Sequence, residues 1–216
     1  MIGRRALLAA PFALAAAPTL AGQGVPASGR LGFSIVRKGS EIGTHLLEFR
    51  DTAGVLTVRM DVRVAVGFGQ ITLYRYHHSG VETWRDGAFA EIDTATDDDG
   101  EILHVTARRE ATAVVVASAK SGRVVLPAGA LPLTHWNIAS MAAPLFNAQD
   151  GKPMNLAVAP RGAAQVKLAD GRGIAATGFS LTGEATMEDW YDTQNVWAAL
   201  RATARDGSML EYRRIG

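Results

Sequence analysis

Apolar and polar residues alternate along most of the chain from residue 31 onward. The clearest example is VLTVRMDVRVAV, residues 55–66, in which every second residue from Leu56 to Val66 is apolar. A period of two is typical of a β-strand with one face on a core and the other in water. At ~3.3 Å per residue this strand is about 40 Å long, a length that favours a strongly twisted and curved sheet.

Short turns separate the alternating segments. Turn residues lie at Lys38 to Glu41, Ser79-Gly80, Asp86-Gly87 and Asp206-Gly207, of which the last is the strongest hairpin signal. Consecutive strands joined by short turns favour an antiparallel meander. The predicted fold class is therefore mainly all-β, a curved antiparallel meander that forms a half-open barrel.

One segment, residues 127–150, departs from this pattern. Its apolar run IASMAAPLF, residues 138–146, predicts one short helix at about 137–146 that acts as a plug or lid over the sheet. Asn137 is the expected N-cap, and Trp136 is expected to hold the helix entry. Pro144 should bend or end the helix.

The first residues have the layout of an export signal. Arg4 and Arg5 precede an apolar stretch and small residues, with a cleavage point expected after Ala21. We therefore predict a signal peptide at 1–21, a flexible N-terminus at 22–30 and a single β-domain at 31–216. The expected location is the periplasm, and both the twin-arginine and the general secretory route remain open.

Charge and cysteine content exclude several classes of function. Removal of a signal that holds two arginines changes the formal net charge from +1 to −1, which argues against a nucleic-acid partner. The apolar stretch is too short and too interrupted by proline to span a membrane. The chain has no cysteine, so disulfides, cysteine nucleophiles and cysteine-ligated metals are excluded.

The polar residues form no recognisable catalytic or metal-binding motif. The five histidines are His45, His77, His78, His104 and His135, and none has a metal-ligand spacing. His77 and His78 are adjacent in a predicted strand and should face opposite sides. Glu188, Asp189 and Asp192 are expected on a polar outer face with the neighbouring aromatics turned inward. We accordingly predict no catalytic residues, no metal site and no cofactor.

Aromatic and methionine side chains are the remaining candidates for a site. They suit either an ordinary core or an adaptable pocket for an elongated apolar ligand. The residues predicted to line the concave face and bind such a ligand are Trp84, Trp136, Met141, Phe146, Trp190 and Trp197.

The chain resembles a family of uncharacterised exported proteobacterial β-proteins, a domain of unknown function. The resemblance rests on GFSIVRKGSEIGTHLLEF, on LTHWN followed by NAQDGK, and on EDWYD followed by VWAALRATARDGSMLEY. It covers roughly residues 31–214 and implies membership but no activity. More distantly, the predicted architecture is similar to periplasmic lipoprotein carriers, in which a half-barrel holds acyl chains.

These observations favour a periplasmic, non-enzymatic protein that binds an apolar or lipid-like ligand in a curved β-sheet. One alternative is an envelope enzyme with a small polar site near His135 and Asn137, with His104 or Asp192 as further members. The other is an interaction protein that recruits an envelope partner through an exposed strand edge.

Overall fold

The computed structural model describes residues 24–68, 71–204 and 206–216. The predicted signal peptide, 1–21, lies outside these residues. The described chain forms sixteen strands and one 3-10 helix, Ile138–Ala142. The strands are β1 (Arg30–Arg37), β2 (Ser40–Thr52), β3 (Val55–Phe68), β4 (Ile71–Arg85), β5 (Ala88–Asp98), β6 (Glu101–Arg109), β7 (Ala113–Ser118), β8 (Gly122–Pro127), β9 (Leu131–Pro132), β10 (Leu145–Phe146), β11 (Pro153–Met154), β12 (Leu156–Lys167), β13 (Gly173–Gly183), β14 (Met187–Asp192), β15 (Trp197–Thr203) and β16 (Met209–Arg214).

Thirteen of these strands form one antiparallel sheet. Their order is β12-β13-β14-β15-β16-β1-β2-β3-β4-β5-β6-β7-β8, so β1 and β16 pair in the interior of the sheet. Within the described residues β8 and β12 are the two edges, and the sheet does not close into a barrel. The predicted fold class, an all-β antiparallel meander that stays open, is confirmed.

Strand β3 has the two faces that its alternation predicts. Leu56, Val58 and Met60 are buried, whereas Arg59 between them is exposed. Val62 continues the buried face toward the far end of the strand.

The turn predicted at Ser79-Gly80 is wrong, because β4 runs without interruption through both residues. Glycine is needed at position 80 for a packing reason. A Cβ at this position would lie 2.5 Å from Thr94 Cγ2 and 2.9 Å from the Asp93 carbonyl oxygen. Glycine therefore permits a close approach of β5 rather than a change of chain direction.

The sheet curves around the segment that joins its two edge strands. We call this segment, residues 128–155, the plug; it contains β9, β10, β11 and the 3-10 helix. One hydrophobic cluster includes Val114 of β7, Leu181 of β13 and Phe146 of the plug. Because strands near opposite edges contribute to the same cluster, the sheet must wrap around the plug with its inner face concave.

The predicted helix at 137–146 is shorter than expected. It is a 3-10 helix that ends at Ala142, and Leu145–Phe146 forms β10 instead. Ala143, the residue before Pro144, has extended dihedral angles of φ −108° and ψ 154°. The steric effect of proline on the preceding residue explains why the helix stops there. The Asn137 side chain accepts a hydrogen bond from the Ala139 backbone N–H, as expected of the N-cap.

Candidate functional site

The structure brings five of the six predicted ligand-binding residues together. Trp84, Trp136, Met141, Phe146 and Trp197 are all buried in the main hydrophobic cluster, between the sheet and the plug. The exposed fraction of each is 8% or less. Whether these residues bind a ligand stays a prediction.

Trp190 lies elsewhere. It belongs to a second, smaller cluster with Val166, Ala176, Ala198 and Ala199. Its strand neighbours Asp189 and Tyr191 take the inner face, so the predicted polar outer face for Asp189 is wrong. Side chains alternate along a strand, and the carboxylate therefore shares the concave face with Tyr191.

The aromatic rings of the main cluster pack against one another. The Trp136 ring meets Trp84 edge-on at a centroid distance of 5.4 Å and Phe49 at 5.3 Å. Phe146 of the plug contacts Phe89 of β5 at 6.2 Å. Edge-to-face pairs at these distances are favourable and fill space well. The plug thus occupies the position that an apolar ligand would take.

A buried carboxylate anchors the plug at this aromatic contact. Glu82 of β4 is fully buried and accepts hydrogen bonds from the indole N–H of Trp84 at 2.8 Å and from that of Trp136 at 3.2 Å. Burial raises the pKa of Glu82 to about 7, although hydrogen bonds from Thr134, Trp84 and Trp136 oppose the shift. The carboxyl group consequently changes charge near neutral pH.

A second buried carboxylate holds His135. Asp189 of β14 is fully buried, and its Oδ2 lies 2.9 Å from His135 Nδ1 while Oδ1 accepts from the Trp197 indole N–H at 3.0 Å. The His135 ring stacks on Trp197 with an interplanar angle of 17°. The Tyr191 hydroxyl donates to the His135 carbonyl oxygen at 2.7 Å. These contacts hold both ring and backbone of a residue whose φ is +68°, in the left-handed region.

Strand register places two further histidines, His45 and His78, beside the contact between Asp189 and His135. His45 of β2 is opposite Val62 of β3, which is opposite His78 of β4, so the three side chains form one row on the concave face. His78 is opposite Thr96 of β5, and its Nδ1 lies 2.8 Å from Thr96 Oγ1.

Between this row and the plug lies a cavity of about 70 Å³. We call it the histidine cavity. Its polar lining comes from three imidazoles, two phenols, an amide and a hydroxyl group: His45, His78, His135, Tyr76, Tyr212, Gln149 and Thr134. Gln149 is exposed and the His135 side chain is 18% exposed, so the cavity meets solvent on the plug side.

His45 is the most unusual group in this lining. It is 5% exposed, and its Nε2 is buried without a hydrogen-bond partner. Burial, together with nearby His135 and His78, lowers the pKa of His45 to about 3. Burial likewise lowers the pKa of His78 to about 4. Both imidazoles are therefore neutral at physiological pH.

The two tyrosines of the cavity are also neutral. Burial raises the pKa of Tyr212 to about 12, with a further contribution from Asp189. Burial raises the pKa of Tyr76 well above its ordinary value. Each phenol thus keeps its proton and can both donate and accept a hydrogen bond.

The polar groups of the predicted enzyme alternative do not converge. His104 is exposed on β6, Asp192 pairs with Arg214 at 2.8 Å, and Asn137 caps the 3-10 helix. Of these candidates and His135, only His135 lines the histidine cavity. Within residues 24–68, 71–204 and 206–216, no group of three or more histidine or acidic side chains is arranged to hold a metal ion.

The sequence analysis missed His45, His78, Glu82 and Asp189 as members of a site. The usable signal was limited to period-two alternation, which puts His45 and His78 each on the apolar face of its strand. Their convergence depends on the pairing of β2, β3 and β4, and alternation alone does not specify that register.

A family model described as "Domain of unknown function (DUF6134)" matches residues 33–215. The chain belongs to this family. The predicted membership in an uncharacterised family is thereby confirmed, and the match covers almost the whole described domain. No curated protein matches the sequence.

One solved structure similar to this family member is a "Beta-barrel-like Protein of Domain of Unknown Function DUF1849 from Brucella abortus". The TM-score is 0.59 at 10% sequence identity, and the match covers 86% of this chain and 94% of the other. At that identity the similarity shows the fold alone. In the described part of the chain, none of the helices has the length and apolar character needed to cross a membrane.

Proposed function

We propose that this protein is a non-enzymatic binding protein of the periplasm and that it binds a small polar ligand in the histidine cavity. The observation that carries the proposal is the convergence of seven polar side chains, three of them imidazoles, on a cavity that meets solvent.

The size of the cavity limits the ligand to a few non-hydrogen atoms. Its volume is about 70 Å³, which leaves room for a few water molecules or for a ligand of similar size. Pockets for drug-sized ligands are ~300–1,000 Å³. The ligand is therefore a small molecule, or a small polar group at the end of a larger one.

Nuclear magnetic resonance of the histidine side chains tests this proposal. The ¹⁵N-labelled protein would be titrated with methylammonium, acetate, acetamide and ethylene glycol, which represent a cation, an anion, an amide and an alcohol. We expect at least one probe to shift the imidazole signals of His45 and His78 saturably, with His104 as the exposed internal control. If no probe shifts them, the cavity holds only water and the proposal fails.

A second candidate is the binding of an apolar or lipid-like molecule in place of the plug. It is favoured by the separate hydrogen bonding of the small sheet β9–β11, which is not part of the strand ladder of the large sheet. Displacement of the plug would expose Trp84 and Trp197 without breaking that ladder. Native mass spectrometry of protein from its own periplasm, followed by organic extraction, tests this candidate. A protein without any apolar co-purifying species would argue against it.

The periplasmic location is tested independently of the ligand. Fractionation of cells should place the protein in the periplasm, and replacement of Arg4 and Arg5 by lysine should stop export only if the twin-arginine route is used. Retention of the unmodified protein in the cytoplasm would refute the proposed location.

A further inference from the structure

A second cavity lies at one end of the large sheet, where strands β5 and β6 part. The ladder between them stops at the pair Glu91–Arg108. Both strands extend beyond this pair, because β5 stays paired with β4 as far as Ala88 and β6 stays paired with β7 as far as Arg109. The two strands therefore form a fork, and each side of the fork is held in place by the strand behind it.

The backbone of β5 is open along this fork. In the described ladder of β5 and β6, residues 88–90 have no partner. At ~3.3 Å per residue this open stretch is about 10 Å long. Backbone N–H and C=O groups that lack a ladder partner need one from water or from a ligand. A cavity of about 610 Å³ occupies the fork, lined by residues 88–91 and 108–111 together with Arg85. We call it the strand fork.

Small side chains keep the strand fork open. Ala88, Ala90 and Ala111 belong to its lining and are too short to fill it. Phe89 lies between the first two, is 3% exposed and packs edge-on against Trp84 at a centroid distance of 5.6 Å. The β5 side of the fork is thus fixed by the main hydrophobic cluster. The volume is within the ~300–1,000 Å³ of ligand pockets.

The charges of the lining favour an anionic ligand. Three arginines, Arg85, Arg108 and Arg109, line the fork, against two glutamates, Glu91 and Glu110. Arg108 lies 3.4 Å from Glu91 and is offset by it. Among the described residues, neither of the other two arginines forms an ion pair with a carboxylate. A guanidinium group keeps its charge at any physiological pH, so the fork has two cations available for a ligand.

We propose that the strand fork binds a short, extended peptide that ends in a free carboxylate. Arg85 and Arg109 attract the carboxylate, to which a guanidinium group can donate two parallel hydrogen bonds. The peptide backbone pairs with the open edge of β5 at residues 88–90, as in other cases of strand addition. The strand fork and the histidine cavity have no lining residue in common, so this site is independent of the function proposed above.

The open backbone favours a peptide over other anions. A phosphate or a simple carboxylate offers acceptors only, and would leave the C=O groups of the fork without a donor. A peptide offers N–H and C=O groups in alternation, and three of its residues match the open length of about 10 Å. The alanines of the lining leave room for its side chains.

Backbone amide signals of residues 88–90 and 109–111 test the proposal by nuclear magnetic resonance. The ¹⁵N-labelled protein would be titrated with acetyl-Ala-Ala-Ala, with the same peptide as its C-terminal amide, with propionate and with inorganic phosphate. We expect the free-carboxylate peptide to shift these signals saturably and the amide to bind at least tenfold more weakly. Propionate and phosphate should give no saturable shift at concentrations at which the peptide saturates.

Each other result counts against a defined part of the proposal. Equal affinity for the peptide and its amide would overturn the role of the carboxylate. Binding of propionate or phosphate as tight as that of the peptide would overturn the peptide class. No saturable shift from any probe would overturn the site itself and would leave the histidine cavity unaffected.

Substitution of the two unpaired arginines tests their role. Arg85→Gln and Arg109→Gln should each raise the dissociation constant of acetyl-Ala-Ala-Ala at least fivefold and reduce its preference over the amide. Arg123→Gln is the matched control, since Arg123 is an exposed arginine of β8 outside the lining. An unchanged preference for the free carboxylate in both fork variants would overturn the assignment of the arginines. If either variant fails to fold, the four probes on the unmodified protein still decide the ligand class.

Discussion

Replacement of Glu82 by glutamine should remove one defined part of the pH dependence of stability. Glu82 is fully buried, and its pKa of about 7 in the folded protein compares with an ordinary value of 4.5. The folded state therefore binds a proton more tightly than the unfolded chain between these two values. As the pH rises through this window, the free energy of unfolding falls.

The magnitude follows from the two pKa values. The interval from 4.5 to about 7 corresponds to about 3 kcal/mol in total. Between pH 5 and pH 8 the contribution of Glu82 is about 2.5 kcal/mol on the same relation, since part of the titration lies below pH 5. Glutamine does not titrate, so the free energy of unfolding of Glu82→Gln should fall less between pH 5 and pH 8 than that of the unmodified protein.

Urea unfolding followed by tryptophan fluorescence measures this difference. The free energy of unfolding would be determined at pH 5.0 and pH 8.0 for the unmodified protein, for Glu82→Gln and for the exposed control Glu48→Gln. Contributions from His45 and His78 appear in all three proteins and cancel in the comparison. If Glu82→Gln shows the same change as the other two proteins within about 0.5 kcal/mol, the carboxyl group does not titrate as the structure requires.

Three further substitutions test other parts of the structure. The pKa of His45 is lowered from 6.5 to about 3, so the free energy of unfolding falls as the pH drops through that window. His45→Leu should reduce this loss between pH 8 and pH 5 by about 2 kcal/mol, measured by urea unfolding. Gly178→Ala should cost about 1–3 kcal/mol, because the new Cβ would lie 2.5 Å from an indole ring, whereas Gly129→Ala has open space and should leave the urea midpoint unchanged. Trp136→Phe removes a hydrogen bond to a buried carboxyl group and should cost about 1.5–3 kcal/mol at pH 8. A double-mutant cycle with Glu82→Gln checks the origin of that cost, and additive effects would contradict it.

Local sequence signals predicted most strands of the large sheet. The alternation in β3 and the Asp206-Gly207 turn between β15 and β16 both depend on neighbouring residues only, and both are observed. The turn at Ser79-Gly80 was predicted wrongly because glycine occurs both in turns and where two strands approach closely. Gly80 is required by a side chain of β5, Thr94, whose proximity is a property of the folded sheet.

The candidate site was less accessible to sequence reasoning. His45 and His135 are 90 positions apart in the chain and belong to the sheet and the plug, respectively. Their spacing carries no information about contact. Asp189 was assigned to the outer face because acidic residues are usually exposed, yet its hydrogen bonds to His135 and Trp197 offset the cost of its burial.

The pairing of β1 with β16 has a consequence for the order of folding. Phe33 is paired with Arg214, so the chain forms a seam between residues about 180 positions apart, with eight strands in the meander on one side and five on the other. Each meander can form from local hairpins, but the seam can close only after β16 is available. High sequence separation slows folding, because the entropy of the intervening loop is lost before the contact forms. Until that moment β1 presents a free edge. A circular permutant that links β16 directly to β1 and has its new chain ends in the loop that follows β8 should therefore fold faster than the natural chain.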